Sequence, residues 1–170
     1  MGQAIYSRRI EGIRRAKALP EKPACIPASR PRGAKAAGLR FERALAKSLK
    51  GSMHGQWLEF EDRNGFGYCQ VDVLFSMLPR FMVVIECKYT LVPGAHSKLV
   101  SLYLPVVEEA FGCPVAGVVV VKNLDPRYRR GRIYTNIEEA AIAAFESKYP
   151  TLIQWSGQSL LTPLLPRKAA

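Results

Sequence analysis

An α/β domain with a mixed central sheet flanked by helices is the fold class that this sequence predicts, and three observations predict it. Apolar residues recur at helical spacing over residues 36–49. Three strand-like runs then follow in close succession, and a wholly apolar run, Val115–Val121, sits between two further helical patterns. The 170 residues are enough for one domain with a real hydrophobic core plus peripheral segments. The chain divides into a basic, proline-rich N-terminal arm (1–37), the domain itself (38–157) and a C-terminal tail of little pattern (158–170).

The arm holds Arg8, Arg9, Arg14, Arg15, Lys17, Lys22, Arg30, Arg32 and Lys35 against only Glu11 and Glu21. Residues 4–19 suit a short basic helix. Pro20, Pro23, Pro27 and Pro31 then mark an extended linker. Such a segment reads either as a nucleic-acid contact or as a solvated tail outside the core.

The first helix of the domain is expected over Ala36–Leu49. Phe41, Leu45 and Leu49 lie at i, i+4 and i+8 on one face, and Arg40, Arg43, Lys47 and Lys50 form a separate basic stripe. Glu42, the only acid in this stretch, sits beside Phe41 at the edge of the apolar face. In Gln56–Asp62, Leu58 and Phe60 alternate with Trp57, Glu59 and Glu61, as in a half-buried strand. Asn64-Gly65 signals a turn. Tyr68–Met77 and Phe81–Lys88 are joined at Pro79-Arg80, giving a meander of three antiparallel strands. Residues 94–111 are helical in pattern, with Leu99, Leu102, Val106 and Ala110 on one side; Pro105 either kinks this helix or marks its first turn. Val115–Val121 suits a strand buried on both faces. A loop at Asp125–Arg132 is dense in arginine, Asn136 and Glu139 fit an N-cap and its partner, and Leu152–Trp155 is a last short strand.

A net charge of +11 implies a polyanionic partner, although ribosomal, membrane-surface and nucleic-acid proteins share this property. No apolar run is long enough to span a bilayer, and no hydrophobic signal segment follows the basic N-terminus, so a cytoplasmic protein without membrane association is expected. The four cysteines form no CxxC pair, and His54 and His96 are too few and too distant for a zinc site.

The chemistry is concentrated in two strands. Asp72 opens one apolar strand, and Glu86 and Lys88 close the next, in Val-Val-Ile-Glu-Cys-Lys. A period of two puts Glu86 and Lys88 on the same face, roughly 7 Å apart. If these strands pair through the Pro79-Arg80 turn, Asp72 comes level with Glu86. Two carboxylates without a nearby histidine suit Mg²⁺ or Mn²⁺, hard ions that prefer oxygen donors. Such an ion stabilises charge on a scissile phosphate and acidifies an attacking water, while a lysine beside it orients that water or neutralises the phosphorane. The bland alternative is a solvated strand end at which Glu86 and Lys88 merely pair.

The order of a helix with Glu, a strand, an Asp strand, an ExK strand, a helix and a buried strand resembles the PD-(D/E)XK nuclease superfamily. Within it, the chain looks most like small phage and archaeal members related to Holliday-junction resolvases. Gly38, Phe41 and Glu42 match the first helix of that pattern, Asp72 its second strand, and Glu86 and Lys88 its third. The resemblance implies a restriction-endonuclease-like αβββαβ core. It also implies a metal held by Asp72, Glu86 and the main-chain carbonyl of Cys87, with Lys88 catalytic and Glu42 holding a water of the ion or a second ion. Val71 stands where the signature has Pro, and Lys98 and Tyr103 occupy the stretch where many relatives carry Gln and Tyr.

The expectation is a metal-dependent DNA endonuclease, with junctions or branched DNA as candidate substrates. Arg40, Arg43, Lys47, Lys98, Arg127, Arg129, Arg130 and Arg132 are the expected DNA contacts, although for the arginine loop a solvated surface is the competing reading. Members of the resembling group often act as dimers, so a homodimer belongs to the expectation, without a dimer signature in the sequence. The alternative is a nucleic-acid-binding or assembly protein that keeps the fold without activity. Glu59 and Glu61 are rival acids, expected to face outward. Trp57 and Trp155 are expected in packing roles, and His96 in none.

Overall fold

The computed structural model describes residues 10, 12–77, 79–92, 94–128 and 131–161. Within them the chain forms an α/β fold around one seven-stranded mixed sheet of order β1-β2-β3-β4-β5-β7-β6.

The first strand, β1 (Arg15–Leu19), departs from the basic helix read over residues 4–19, of which 4–9 and 11 lie outside the described residues. It pairs antiparallel with β2 (Met53–Asp62), so this part of the arm belongs to the sheet. The reason is cross-strand charge: Arg15 and Lys17 meet Glu61 and Glu59 at 2.7 and 3.0 Å, while the backbone fills the edge of β2.

Helix α1 (Gly33–Ser48) forms as its spacing dictates and buries Phe41 and Leu45, with Leu49 just past its end. Burial of each such side chain contributes about 1.5–3 kcal/mol. The meander is as expected. After β2 come β3 (Gly65–Met77) and β4 (Phe81–Thr90), both antiparallel to their predecessor. Gly65 at the β2–β3 turn has φ +99°, a conformation that glycine adopts without strain.

Residues 94–111 form one helical segment wound in three ways: α2 (Gly94–Lys98), a π-helical turn (Leu99–Tyr103) and α3 (Leu104–Phe111). Pro105 lies in the first turn of α3. Because Pro105 cannot make the regular bond back to Ser101, a widened turn preceding it lets the helix continue. A Cβ at Gly117 would stand 3.0 Å from Leu99, so glycine lets this segment sit close on the sheet. Strand β5 (Val115–Asn123) then runs parallel to β4, with Val118 to Val121 buried.

Two short pieces were not foreseen: a 3₁₀ turn (Pro126–Tyr128) and strand β6 (Ile133–Tyr134). Asn136 caps α4 (Ile137–Ser147), its side-chain oxygen accepting the Glu139 N–H at 3.0 Å. Strand β7 (Thr151–Gln154) lies parallel between β5 and β6. The tail also contributes to the core: Leu160 is buried, and its carbonyl accepts the Ile137 N–H at 2.8 Å.

Two cores result, one on each face. Phe41, Leu45 and the α4 residues Ile137, Ala140 and Ala144 pack on Val83, Ile85 and Cys87. Leu99, Leu102, Tyr103 and Val106 pack on Val84, Val119 and Val121. β4 lies between them, buried from Phe81 to Cys87. Among the described residues, no helix is long and apolar enough to cross a membrane.

Candidate metal centre

The site begins where the β3–β4 ladder ends. Paired residues run from Met77–Phe81 to Val73–Ile85 and stop there. One step further, the same register sets Asp72 opposite Glu86, as the sequence implied. Instead of another ladder bond, Asp72 Oδ2 accepts the Cys87 N–H at 2.7 Å. In an extended strand a residue's N–H and C=O leave on the same side, so the Cys87 carbonyl faces this gap too. On its other edge β4 stays paired with β5 through Lys88.

Glu86 is wholly buried. Its Oε1 touches the Lys88 ammonium and lies 3.8 Å from Lys98 Nζ. The Lys88 contact is ionic rather than a well-directed hydrogen bond, and Oε2 has no hydrogen-bond partner among the described residues. Lys98 is further fixed by the Tyr103 ring, whose centre is 4.6 Å from its ammonium. Glu42 completes the group from α1, close enough for its charge to act on Asp72.

Three acids and two lysines thus lie together, and burial raises the pKa values of the acids. Asp72 keeps some exposed surface, yet its carboxyl is enclosed: burial, then the Glu42 charge, pushes its pKa up to about 7. Burial, then Asp72, pushes Glu86 up to about 7 as well. Burial also raises Glu42, against the Asp72 hydrogen bond that lowers it. For Lys88 burial works against the charged form, but the facing Glu86 and Asp72 outweigh it and hold the ammonium above the usual lysine range.

His54 is the residue that sequence reasoning missed. From β2 its Nε2 comes within 3.5 Å of Glu42 Oε2. Burial and Arg43 lower its pKa, so near neutral pH the contact is that of a neutral imidazole. The hairpin register decides this: mirrored about Arg63-Asn64, one step before the Asn64-Gly65 turn read from the sequence, it pairs His54 with Val73, next to Asp72.

The other expected site residues are dispersed. Arg40, Arg43 and Lys47 are exposed on α1, the helix that carries Glu42. Lys98, expected as a DNA contact, has its ammonium 3.8 Å from Glu86 Oε1. Arg127 is engaged by Asp125 in a forked pair at 2.6–3.1 Å, and Arg132 lies 3.4 Å from Glu139 and over the Tyr134 ring. Both line a cavity of about 640 Å³ with Leu91 and His96. Arg129 and Arg130 lie outside the described residues. Glu59 and Glu61 pair with the β1 cations, away from the acids of β3 and β4.

The donors suit a hard divalent ion: carboxylate oxygens, a main-chain carbonyl facing the same gap, and one buried oxygen lacking a partner. Among the described residues, no three His, Cys, Asp or Glu side chains already close into a metal-binding group. An ion that keeps several of its own waters needs fewer protein ligands. No family model, curated protein or solved structure matches the chain.

Proposed function

We propose that the chain is a divalent-metal-dependent nuclease that hydrolyses phosphodiester bonds in DNA, on a restriction-endonuclease-like core of the PD-(D/E)XK type. The observation that carries this reading is the buried Glu86, with Oε2 lacking a donor, beside Asp72 at the point where two strands part. Leaving a carboxylate buried and incompletely paired is costly, and a cation between the two acids removes the cost.

Asp72, Glu86 and the Cys87 carbonyl would hold Mg²⁺ or Mn²⁺, with Glu42 beside them. When bound, such an ion supplies charge stabilisation at the phosphate and a more acidic attacking water. The remaining work falls to the chain. Burial favours the protonated forms of Asp72, Glu86 and Glu42, so taking up a dication would release protons from these acids. The acids hold Lys88 charged, so its ammonium offers donors to a phosphate oxygen or to the nucleophilic water. Lys98 adds a second cation at the same carboxylate. Arg40, Arg43 and Lys47 on α1 give backbone contacts that weaken with salt and read little sequence.

The test is to incubate purified wild type and Lys88→Ala with plasmid, single-stranded DNA and a four-way junction, in Mg²⁺, Mn²⁺ or EDTA. Metal-dependent cutting by the wild type alone is expected. Equal cutting by the variant would overturn the assignment of the site. DNA binding without cutting by either protein would favour a nucleic-acid-binding protein that keeps the fold without the activity.

A further inference from the structure

The structure also holds a concavity that phosphodiester hydrolysis does not itself require. It encloses about 420 Å³ and is lined by Phe41, Tyr89 and Trp155, with Arg40, Lys122 and Gly157 around them. It sits at the C-terminal ends of the parallel strands β4, β5 and β7, the end at which open α/β sheets hold ligands. Phe41 precedes Glu42 in α1, and Tyr89 follows Lys88 in β4. Successive strand residues point to opposite faces, so Tyr89 lies on the Phe41 and Trp155 side of β4 and Lys88 on the other, while Phe41 and Glu42 are neighbours along α1.

The lining combines two chemistries. Phe41 and Trp155 are nearly buried, with ring centres 5.5 Å apart. Trp155 is fixed at both ends: its indole N–H donates to the Gln158 carbonyl at 2.7 Å, and its backbone N–H to the Val121 carbonyl at 2.8 Å. Tyr89 stands nearly perpendicular to Phe41 at 6.2 Å and remains 37% exposed, a large ring that the core does not absorb. Lys122 donates to the Tyr89 hydroxyl at 3.2 Å and holds its ammonium 4.8 Å from that ring. Exposed Arg40 brings a second cation from α1. An aliphatic ligand has no use for the two cations, and a bare anion has none for the rings. A nucleobase with its flanking phosphate uses both, because base–aromatic stacking and backbone charge are the paired devices of single-strand binding.

We infer that this cavity takes an unpaired nucleobase of a DNA strand, with Arg40 and Lys122 meeting the neighbouring phosphate. The role deepens the nuclease reading and rests on it: the substrate is then single-stranded or branched DNA rather than uninterrupted duplex, whose bases must first be unstacked at a cost of a few kcal/mol. The binding itself stands independently of catalysis.

The experiment measures fluorescence anisotropy of a labelled thymidine oligonucleotide, and of its duplex with the complementary strand, in EDTA. Wild type, Tyr89→Ala and Tyr89→Phe are compared, with a thermal melt of each to show that it folds. Tyr89→Ala is expected to weaken single-strand binding roughly tenfold and to leave duplex binding nearly unchanged, whereas Tyr89→Phe keeps the stacking and binds as wild type. A folded Tyr89→Ala that binds the single strand like wild type would overturn the inference, and so would an equal loss on both substrates. Cutting assays with the wild type separate the two claims. Tyr89-dependent single-strand binding without cutting removes the nuclease reading alone, and metal-dependent cutting with Tyr89-independent binding removes the base pocket alone.

Discussion

Carboxylates on neighbouring strands of this sheet have opposite fates. On β2, Glu59 and Glu61 each face one cation across the sheet edge, Lys17 at 3.0 Å and Arg15 at 2.7 Å, with part of each carboxylate in water. Lys17 holds the Glu59 carboxyl below its usual range. On β3 and β4, Asp72 and Glu86 lie together with Glu42, and burial pushes both up to about 7. Both places hold two carboxylates on strands of one sheet; solvent and the count of partners differ. The outer pairs are self-sufficient and contribute about 0.2–1 kcal/mol each. The inner group carries charge that the chain itself does not fully balance, and unbalanced buried charge persists where a ligand or a reaction uses it.

The largest effect expected is on cutting. Glu86→Gln and Lys88→Ala should each lower metal-dependent plasmid cleavage by roughly 10²-fold or more, while Glu59→Gln and Glu61→Gln leave it within about twofold. Initial rates of nicking measure this. Equal losses at the inner and outer acids would erase the distinction between them.

The next effect is on stability, and its sign is unusual. Asp72 has a folded pKa of about 7, above its ordinary 3.8. Its contribution to metal-free stability is therefore fully present below about pH 4 and is lost as the pH rises through about 7. Asp72→Asn keeps the acceptor for the Cys87 N–H and supplies a donor for Glu42 without a charge. Near pH 8, free of metal, it should be more stable than wild type by on the order of a few kcal/mol, a rise of roughly 5–10 °C in Tm, while losing cutting. Mg²⁺ should raise the Tm of the wild type and hardly that of Asp72→Asn. Melting curves across pH decide; an Asp72→Asn protein less stable than wild type at alkaline pH would mean that the carboxylate is already balanced.

Much of this was legible from residue order. The periodicity of Phe41, Leu45 and Leu49 gave α1, alternation and turn residues gave the meander, and equal lengths on either side of Pro79 set Asp72 opposite Glu86. What escaped were features decided by long-range pairing. Strand β1 lies in a segment whose charges suited a helix, and only the acids on β2, some forty residues later in sequence, select the strand. Lys98 reads as a surface cation because its partners, Glu86 and Tyr103, become neighbours only once the helix docks on the sheet. The aromatic pocket joins residues of α1, β4 and the end of β7, so no local pattern announces it.

The smallest effect should come from the outer ladder, and its pH dependence should run the other way. Glu59 has a depressed pKa in the folded chain, so the stability it draws from Lys17 is present above its ordinary carboxylate range and lost as the pH falls through the folded value. Lys17→Ala should therefore cost roughly 0.2–1 kcal/mol near neutral pH, shrink with added salt, and disappear in acid where Glu59 is protonated. Denaturant unfolding of wild type and Lys17→Ala at acidic and neutral pH measures the difference. If one sheet holds an acid pair whose stabilisation vanishes on acidification and another whose penalty vanishes on acidification, then local composition has not assigned their roles. What separates them is whether water and a partner charge reach the carboxylate, and at the inner pair burial outweighs both.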